Sequence, residues 1–280
     1  MNVRIIVDST TDLIPELKNR VSVVPLTVHF GDEEYIDGVT ITHKQFYEKL
    51  VACDKLPSTS QATPDAFDQV FAQVKEAGES AVVLTLSSKL SGTYQSAMIA
   101  AQEYENIYVV DSESVAIGGG ILAELALQLA DSGMAAKDIA AKLEQEKKNI
   151  RIIAMVDTLE YLKRGGRVSK TVAFAGGLLN IKPILSVVGG EIHMLGKARG
   201  SKQGNNLLVT EIEKTGGVDF DKPVLLGYTG LTDDLLQKFI EDSKDLWSCK
   251  PQLNATVIGS VIGTHAGPGA VAAAFFCKEA

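Results

Sequence analysis

The sequence predicts an α/β protein of two domains: an N-terminal α/β/α domain with a parallel sheet and a C-terminal α+β domain with a mixed sheet. The chain has 280 residues, which is long for one hydrophobic core. In the first half, apolar runs of strand length alternate with helical patterns, as in parallel sheets covered on both faces. The second half contains a hairpin signal, Gly189-Gly190, between two apolar runs.

We place the two domains at residues 1–150 and 151–280, and we expect a ligand to bind between them. The boundary lies where regular alternation of strands and helices gives way to hairpins mixed with helices. In an alternative arrangement, residues 55–80 pack with the second domain.

Apolar spacing predicts the elements of the first half. The clearest helix is Asp65–Ala77, where Phe67, Val70 and Val74 recur at helical spacing. The predicted strands are Val3–Val7, Val23–Phe30, Ala81–Leu86 and Ile107–Val110. The other predicted helices are His43–Ala52, one from Ser91 through Ala101, one through Ile121 and Leu129, and Asp138–Lys148.

In the second half, a predicted hairpin is mixed with helices in place of the regular alternation of strand and helix. This order favours a mixed or antiparallel sheet. The predicted strands are Ile152–Val156, Ile184–Val188, Ile192–Leu195, Val224–Gly227, Ala255–Ser260 and Ala270–Phe276. The predicted helices are Val172–Leu179, Asn205–Lys214 and Asp233–Ser243.

Ala255–Phe276 is apolar enough to suggest a membrane span, but its composition argues against one. It contains no Asp, Glu, Lys or Arg, yet four glycines and Pro268 interrupt it. Glycine and proline disfavour the unbroken apolar helix that a span requires. We therefore expect two buried strands joined by a turn that contains His265.

Charge and cysteine content exclude several classes of function. The net charge of −8 disfavours a nucleic-acid-binding surface, which needs basic residues to neutralise phosphates. The cysteines Cys53, Cys249 and Cys277 form no CxxC pair, so zinc and thioredoxin motifs are absent. Asp and Glu lack the spacing of a metal site. The short apolar run before Asp8 does not fit a signal peptide, and we expect a cytoplasmic protein with reduced thiols.

His265 is the candidate ligand-binding histidine. It lies in Ile262–Ala270, where glycines allow a ligand to approach the backbone closely. Its imidazole could donate a hydrogen bond to a carboxylate, or act as the base for a serine nucleophile. A purely structural role is the alternative. We expect His29, His43 and His193 to be structural or exposed.

Hydroxyl groups in polar turns are the other candidate binding groups. Ser91 lies at the predicted start of a helix, where backbone N–H groups favour an anion. Thr59 and Ser60 lie in a turn that could direct hydroxyls into a cleft. The alternatives are a helix cap for Ser91 and a plain polar linker for Thr59 and Ser60. Several hydroxyls and one imidazole suit a carboxylate or another small polar head group better than they suit a metal.

Arg164–Lys170 is a compact basic turn, and Lys197 and Arg199 add positive charge after the predicted hairpin. Arginine forms paired hydrogen bonds with carboxylates and phosphates, so this turn could bind an anionic ligand or a partner. A solvated surface turn is the alternative.

Gly118–Gly120 resembles part of a dinucleotide-binding fingerprint, but it lies inside a predicted helix, where glycines permit close packing.

Five stretches together resemble the DegV family, bacterial fatty-acid-binding proteins that present fatty acids to a fatty acid kinase. These stretches run in family order over nearly the whole chain and are Asp8–Leu13, Thr59–Gln61, Ser91–Ala97, Tyr161–Arg167 and Ile262–Gly269. Each stretch alone is weakly specific, whereas the set is highly specific. One departure is Ala62-Thr63 after Gln61, where the family commonly has proline.

The resemblance implies two α/β domains with a long-chain fatty acid between them, such as palmitate, stearate or oleate, and no cofactor. Thr59, Ser91 and the His265 network would hold the carboxylate, with Ser60 and Gly92 beside them. The shape of the binding tunnel would set which acyl chain lengths and degrees of saturation are bound.

The resemblance also implies a carrier and not an enzyme. A separate ATP-dependent fatty acid kinase would phosphorylate the bound acyl group, and Arg167 and Arg199 match the surface arginines that engage this kinase. Lipid exchange would involve contact with a membrane surface but no membrane span. Two other hypotheses stay open: a serine hydrolase that acts on acyl esters through Ser91 and His265, and a scaffold protein whose basic turn binds a partner.

Overall fold

A computed structural model describes residues 2–167, 180–250 and 252–278. The predicted helix Val172–Leu179 and residues Val168–Lys170 of the basic turn lie outside the described residues. The described strands are β1 Val3–Asp8, β2 Ser22–Val24, β3 Thr27–Phe30, β4 Glu33–Ile36, β5 Ser58–Ser60, β6 Ser80–Thr85, β7 Ile107–Asp111, β8 Ile150–Met155, β9 Ile181–Val188, β10 Glu191–Arg199, β11 Leu225–Tyr228, β12 Asn254–Val257 and β13 Val271–Phe276. The described α-helices are α1 Pro15–Lys18, α2 His43–Ala52, α3 Pro64–Glu76, α4 Thr93–Ala101, α5 Ala116–Asp131, α6 Ala136–Glu146, α7 Glu160–Gly165, α8 Gly200–Lys214, α9 Asp234–Asp242 and α10 Ser260–Ala266.

The first sheet is parallel, with the strand order β2-β1-β6-β7. Every residue of β6 is buried, as expected for a strand covered on both faces. Helices α3 and α4 pack on one face, while α5 and α6 pack on the other. The predicted α/β/α arrangement of the first half is therefore confirmed.

The second sheet is mixed, with the strand order β10-β9-β8-β13-β11-β12. Strands β11 and β12 are parallel, and the other neighbouring pairs are antiparallel. The predicted hairpin turn joins β9 to β10, and both of its glycines have positive φ, 55° at Gly189 and 82° at Gly190. Residues with a side chain rarely adopt these angles, which is why the turn contains two glycines.

A small antiparallel sheet, β4-β3-β5, was not predicted. The single strand predicted at Val23–Phe30 is wrong, because β2 and β3 belong to different sheets. Pro25 lies between them, has no N–H to donate to a ladder, and interrupts the strand. The predicted polar turn at Thr59 and Ser60 is instead β5, in which Thr59 pairs with Val28 of β3.

His265 lies on a short helix, α10, and not in the predicted turn between two strands. The glycines that suggested a turn mostly lie at the ends of this helix. Gly259 is its N-cap, and Gly267, with φ of 71°, ends it. Glycine at these two positions is a signal for helix termini, so only Gly263 is inside the helix.

Helix α5 lies between the two large sheets. It contacts β1 and β6 of the first sheet and β8, β11 and β13 of the second. One core cluster consequently contains Val7, Ile117 and Ala272, from the first sheet, α5 and the second sheet. Along the chain, the first strand of the second large sheet is β8, which begins at Ile150. The hydrophobic core nevertheless contains residues of both sheets. The domain division at residue 150 therefore stays a prediction.

The placement of residues 55–80 relative to the two predicted domains also stays a prediction. Within this segment, β5 contacts α10, whereas α3 packs against α4, β2 and β6. The segment therefore touches both the parallel sheet and the helix that carries His265.

Gly120→Ala should strongly destabilise the fold, because a methyl group at this position would overlap with the carbonyl oxygen of Asp12. We expect the free energy of unfolding to fall by about 1–3 kcal/mol, the usual cost of overpacking. Urea denaturation measures this change.

Gly119→Ala is the matched control on the same helix. The nearest atom to its added methyl group would be Thr11 Oγ1 at 3.3 Å, a side-chain atom that can shift. Alanine is also favoured over glycine inside a helix by about 1 kcal/mol. Equal destabilisation by the two substitutions would contradict the packing of α5 described above.

Candidate ligand-binding site

A cavity of about 400 Å³ lies where the C-terminal ends of the first sheet's strands meet the second sheet. Residues of β8, β13, the start of α5 and α10 supply a mainly apolar wall. All five residues predicted to bind a carboxylate also line the cavity, namely Thr59, Ser60, Ser91, Gly92 and His265. An apolar cavity with a few convergent polar groups is typical of a small-molecule site.

The structure joins Thr59 and His265, which are 206 residues apart, by a hydrogen bond of 2.9 Å between Thr59 Oγ1 and His265 Nε2. The other ring nitrogen, Nδ1, is buried and has no hydrogen-bond partner among the described residues. It lies directly against Gly165, where any side chain would overlap with the ring. The ring is therefore held on one side by a hydrogen bond and on the other by close contact.

These contacts determine the tautomer that we assign to His265. A neutral imidazole carries one N–H, and only Nε2 faces an acceptor, so we place the hydrogen there. Thr59 Oγ1 then accepts from His265, and the hydroxyl hydrogen of Thr59 is free to be donated elsewhere. Since Thr59 lines the cavity, that hydrogen is available to a ligand.

Hydrogen bonds from Thr93 orient the hydroxyl of Ser91, as the bond from His265 orients that of Thr59. The backbone N–H of Thr93 donates to Ser91 Oγ at 3.3 Å, and the two hydroxyl oxygens are 2.9 Å apart. Thr93 is fully buried and Ser91 Oγ is the acceptor that its hydroxyl meets among the described residues, whereas Ser91 lines the cavity, so we assign the hydrogen between the hydroxyls to Thr93. Ser91 accepts both bonds and keeps its own hydrogen for a ligand. The helix-cap alternative for Ser91 is not confirmed, because the N-cap of α4 is Gly92 and the helix has no side-chain cap hydrogen bond.

Ser60 and Gly92 lie beside these groups, but their contacts differ. Ser60 Oγ is 2.8 Å from His29 Nε2, so its hydroxyl already has a protein partner. Gly92 lies against the side-chain amide of Gln61, which donates to Ser96 Oγ at 3.0 Å. Gln61 lines the cavity and was not among the predicted site residues. Its position next to Thr59 and Ser60 in the same polar stretch could have identified Gln61 as a site residue from the sequence.

The two arginines predicted to engage a partner occupy different places. Arg167 lines the cavity, and its guanidinium donates to the carbonyl oxygens of Leu90 at 3.2 Å and Gly165 at 2.6 Å. These bonds connect the end of α7 to the loop that contains Ser91. Arg199 is exposed at the end of β10 and does not line the cavity.

Burial lowers the pKa of His265 to about 4, and the nearby positive charge of Arg167 lowers it further in the same direction. The imidazole is therefore neutral at pH 7. The site consists of hydroxyl donors, a neutral imidazole and one arginine, which is a set that favours a negatively charged head group.

The contacts do not assemble a serine hydrolase. A nucleophilic serine needs a hydrogen bond to the histidine, and the histidine needs an acid at its other nitrogen. Ser91 is instead bonded to Thr93, and His265 to Thr59. Within the described residues no acid approaches His265 Nδ1.

Comparison with known proteins identifies the family. The family model described as "Uncharacterised protein, DegV family" matches residues 2–278. The chain belongs to the DegV family. A DegV domain-containing protein from Caldanaerobacter subterraneus subsp. tengcongensis is 34% identical over 281 residues, which cover 98% of this chain and 98% of that protein.

Solved DegV structures share the fold. A DegV family protein from Thermus thermophilus, described as binding fatty acid, has a TM-score of 0.87 at 31% identity and covers 99% of this chain and 100% of its own. A stearic acid-binding protein from Eubacterium ventriosum has a TM-score of 0.84 at 28% identity, with coverage of 99% and 98%. These likenesses confirm the predicted α/β fold class and the resemblance to the DegV family.

The part of the chain that the structure describes contains neither a membrane-spanning helix nor a cluster of metal ligands. No helix there is both long enough and apolar enough to cross a bilayer. In the same residues, no three His, Cys, Asp or Glu side chains are grouped as metal ligands would be.

Acidification should destabilise this DegV protein through His265. The folded-state pKa of about 4 is below the usual 6.5, so the folded protein resists protonation of the ring. The contribution of the neutral ring is fully present above pH 6.5 and is lost as the pH falls through 4. Between pH 7 and pH 4, the free energy of unfolding should fall by about 3 kcal/mol more in the wild type than in His265→Asn.

Urea denaturation across this pH range measures the difference. Asp8 acts in the opposite direction, because burial raises the pKa of its carboxyl to about 6. Its contribution is common to both proteins and cancels in the comparison. Parallel pH profiles for the two proteins would show that His265 is not held in its neutral form.

Proposed function

We propose that this DegV protein binds a long-chain fatty acid, with the carboxylate at Thr59, Ser91 and His265 and the acyl chain in the apolar cavity. The observation that carries the proposal is the pair of hydroxyls, Thr59 and Ser91, bonded to His265 and Thr93; in the directions assigned above, each hydroxyl keeps its own hydrogen for a ligand. Both hydroxyls lie in the wall of one apolar cavity. Fatty acid binding by the Thermus and Eubacterium relatives supports the same ligand class.

Burial of the acyl chain provides most of the expected affinity. A chain of about 15 methylenes, at about 0.8 kcal/mol each, contributes on the order of 12 kcal/mol before the costs of ordering the ligand. Palmitate, stearate and oleate are the proposed ligands, and no cofactor is needed for binding. The ligand would lie between the proposed domains, residues 1–150 and 151–280.

The proposed role is that of a cytoplasmic carrier and not of an enzyme. The bound fatty acid would be presented to a separate fatty acid kinase, which forms an acyl phosphate from ATP. Arg199 is exposed and available to such a partner. Arg167 lies at the head-group end of the cavity, where a kinase that acts on the carboxylate would meet it. We also propose that the carrier contacts a membrane surface transiently to exchange lipid, with no membrane span.

Thr59→Val and Ser91→Ala should each weaken fatty acid binding about tenfold, since each removes one donor to the carboxylate. Thr59→Val also leaves the N–H of His265 without its acceptor. Oleate titration by calorimetry measures the dissociation constants. Thr210→Val is the matched control, because Thr210 is exposed on α8 and bonds only to the Asn206 carbonyl within the described structure.

Extraction of the purified wild-type protein with organic solvent, followed by mass spectrometry, tests the ligand class directly. Fatty acids should be recovered. An empty protein that also fails to bind added palmitate or oleate would refute the carrier proposal. Turnover of an acyl ester that disappears in Ser91→Ala would instead support the hydrolase hypothesis.

Arg199→Ala should lower the rate at which a fatty acid kinase phosphorylates the bound acyl group, while the dissociation constant for oleate stays unchanged. The reason is that Arg199 is exposed and lies outside the cavity wall. Lys137→Ala, which removes an exposed positive charge on α6, is the control. Equal phosphorylation rates for the two variants would show that Arg199 takes no part in the proposed kinase contact.

A further inference from the structure

The loop Ser87–Ser91, which follows β6 and ends at one of the proposed carboxylate-binding residues, contacts the second half of the chain at its first residue. Ser87 Oγ donates a hydrogen bond of 2.8 Å to the carbonyl oxygen of Gly190, in the hairpin turn between β9 and β10. Ser87 is fully buried, and the two residues are 103 positions apart. The bond therefore joins the end of the parallel sheet to the hairpin of the mixed sheet.

Ser87 also fixes the conformation of the loop as far as Ser91. Its carbonyl oxygen accepts hydrogen bonds from the backbone N–H of Leu90 at 3.0 Å and of Ser91 at 3.2 Å. Its hydroxyl accepts from the N–H of Lys89 at 3.2 Å, and its own N–H donates to the carbonyl oxygen of Ser114 at 2.9 Å. Every polar group of Ser87 thus has a partner, and the loop is a compact turn built on this one residue.

The backbone bond to Ser87 also decides which group Ser91 can offer to a ligand. Because the N–H of Ser91 already donates to Ser87, its hydroxyl is the donor that remains. The place of that hydroxyl depends on the turn that begins at Ser87.

The hairpin turn fits closely against Ser87. A Cβ on Gly190 would overlap with Ser87 Oγ, whereas a Cβ on the neighbouring Gly189 would have no atom within 4 Å. Both glycines have positive φ, so alanine strains the backbone at either position. Only at Gly190 would alanine also push the turn away from Ser87.

Two other contacts between the loop and the second half of the chain are more exposed. Lys89 Nζ lies 3.4 Å from Glu191 Oε1, but both side chains are more than half exposed, and such ion pairs contribute little. The exposed Arg167 donates to the carbonyl oxygen of Leu90 at 3.2 Å. The bond from Ser87 is buried, and removing its donor leaves a buried carbonyl oxygen without a partner.

The loop and the hairpin form parts of the same cavity wall. Leu90 and Ser91 of the loop line the cavity, and so do Val187 of β9 and Ile192 of β10. The bond between the start of the loop and the hairpin turn therefore sets the position of the head-group serine relative to the apolar wall.

We propose that Ser87 is a positioning residue for fatty acid binding: bonded to the hairpin turn at Gly190, it holds Ser91 where the serine hydroxyl meets the carboxylate. The inference rests on the proposed function, because the affinity that it affects is that for the fatty acid. Neither Ser87 nor Gly190 lines the cavity, so both act through Ser91 and not by touching the ligand.

Ser87→Ala removes the bond to Gly190 and adds no atom. We expect the dissociation constant for oleate, measured by calorimetry, to rise about three- to tenfold, up to the loss expected of Ser91→Ala. The double variant Ser87→Ala/Ser91→Ala distinguishes positioning from a general loosening of the fold. If Ser87 acts through Ser91, the double variant binds oleate as Ser91→Ala alone does, whereas a purely structural residue would add its own loss.

Gly190→Ala and Gly189→Ala are a matched pair in the hairpin turn. Both should lower the thermal unfolding midpoint, because both place alanine at positive φ. Only Gly190→Ala should also weaken oleate binding and shift the backbone amide signal of Ser91 in NMR spectra of the free protein, because only this methyl group meets Ser87.

Unchanged oleate affinity in Ser87→Ala would overturn the proposal. Additive losses in the double variant, or equal losses of affinity in the two glycine variants, would overturn it as well. If Ser87→Ala does not fold, the comparison of Gly190→Ala with Gly189→Ala decides the question. If the wild type binds no oleate, the proposed function fails, while the Ser91 amide signals of the free variants still show whether the hairpin turn positions Ser91.

Discussion

The hydrogen bond between Thr59 and His265 is the contact on which the candidate site depends. It joins β5, in the small antiparallel sheet, to α10, near the C-terminus, and so it exists only when the two halves of the chain are packed together. The bond also decides which hydrogens remain for a ligand, because a hydroxyl that accepts from the imidazole must donate elsewhere. The chemistry of the site is thus a consequence of tertiary packing and not of any one local motif.

Close approach of backbone to neighbouring groups is the constraint that makes this packing possible. Gly165 lies against the His265 ring, Gly263 against Tyr47, and Gly120 against the carbonyl oxygen of Asp12. Each contact leaves no room for a side chain, and each lies between elements from distant parts of the sequence. The glycines of this chain therefore fix distances between elements, in addition to shaping turns such as the one at Gly189.

The sequence could predict the fold class and the positions of most elements, because apolar spacing records which faces are buried. The prediction of one strand at Val23–Phe30 was wrong, because the chain passes from one sheet to another at Pro25. The prediction of a turn at His265 was also wrong, because the glycines that suggested a turn mark the two ends of helix α10. All five predicted carboxylate-binding residues line one cavity, whereas Gln61 was missed. Hydrogen-bond direction could not be predicted at all, because it depends on neighbours such as Thr93 that only the folded chain brings together.

In the proposed function, the two ends of the cavity contribute differently to the binding of a fatty acid. Burial of an alkyl chain contributes on the order of 12 kcal/mol, whereas each hydroxyl bond to a carboxylate contributes about 1–3 kcal/mol. The polar end would therefore mainly set the orientation of the ligand, and burial of the alkyl chain would provide most of the affinity. A neutral imidazole suits this role, since a buried positive charge near the exposed Arg167 would carry a desolvation cost and would bind the carboxylate more firmly. In the proposed role, hydroxyl donors would orient the head group without enclosing it in a buried ion pair, and the carboxylate of the ligand would stay accessible to another protein.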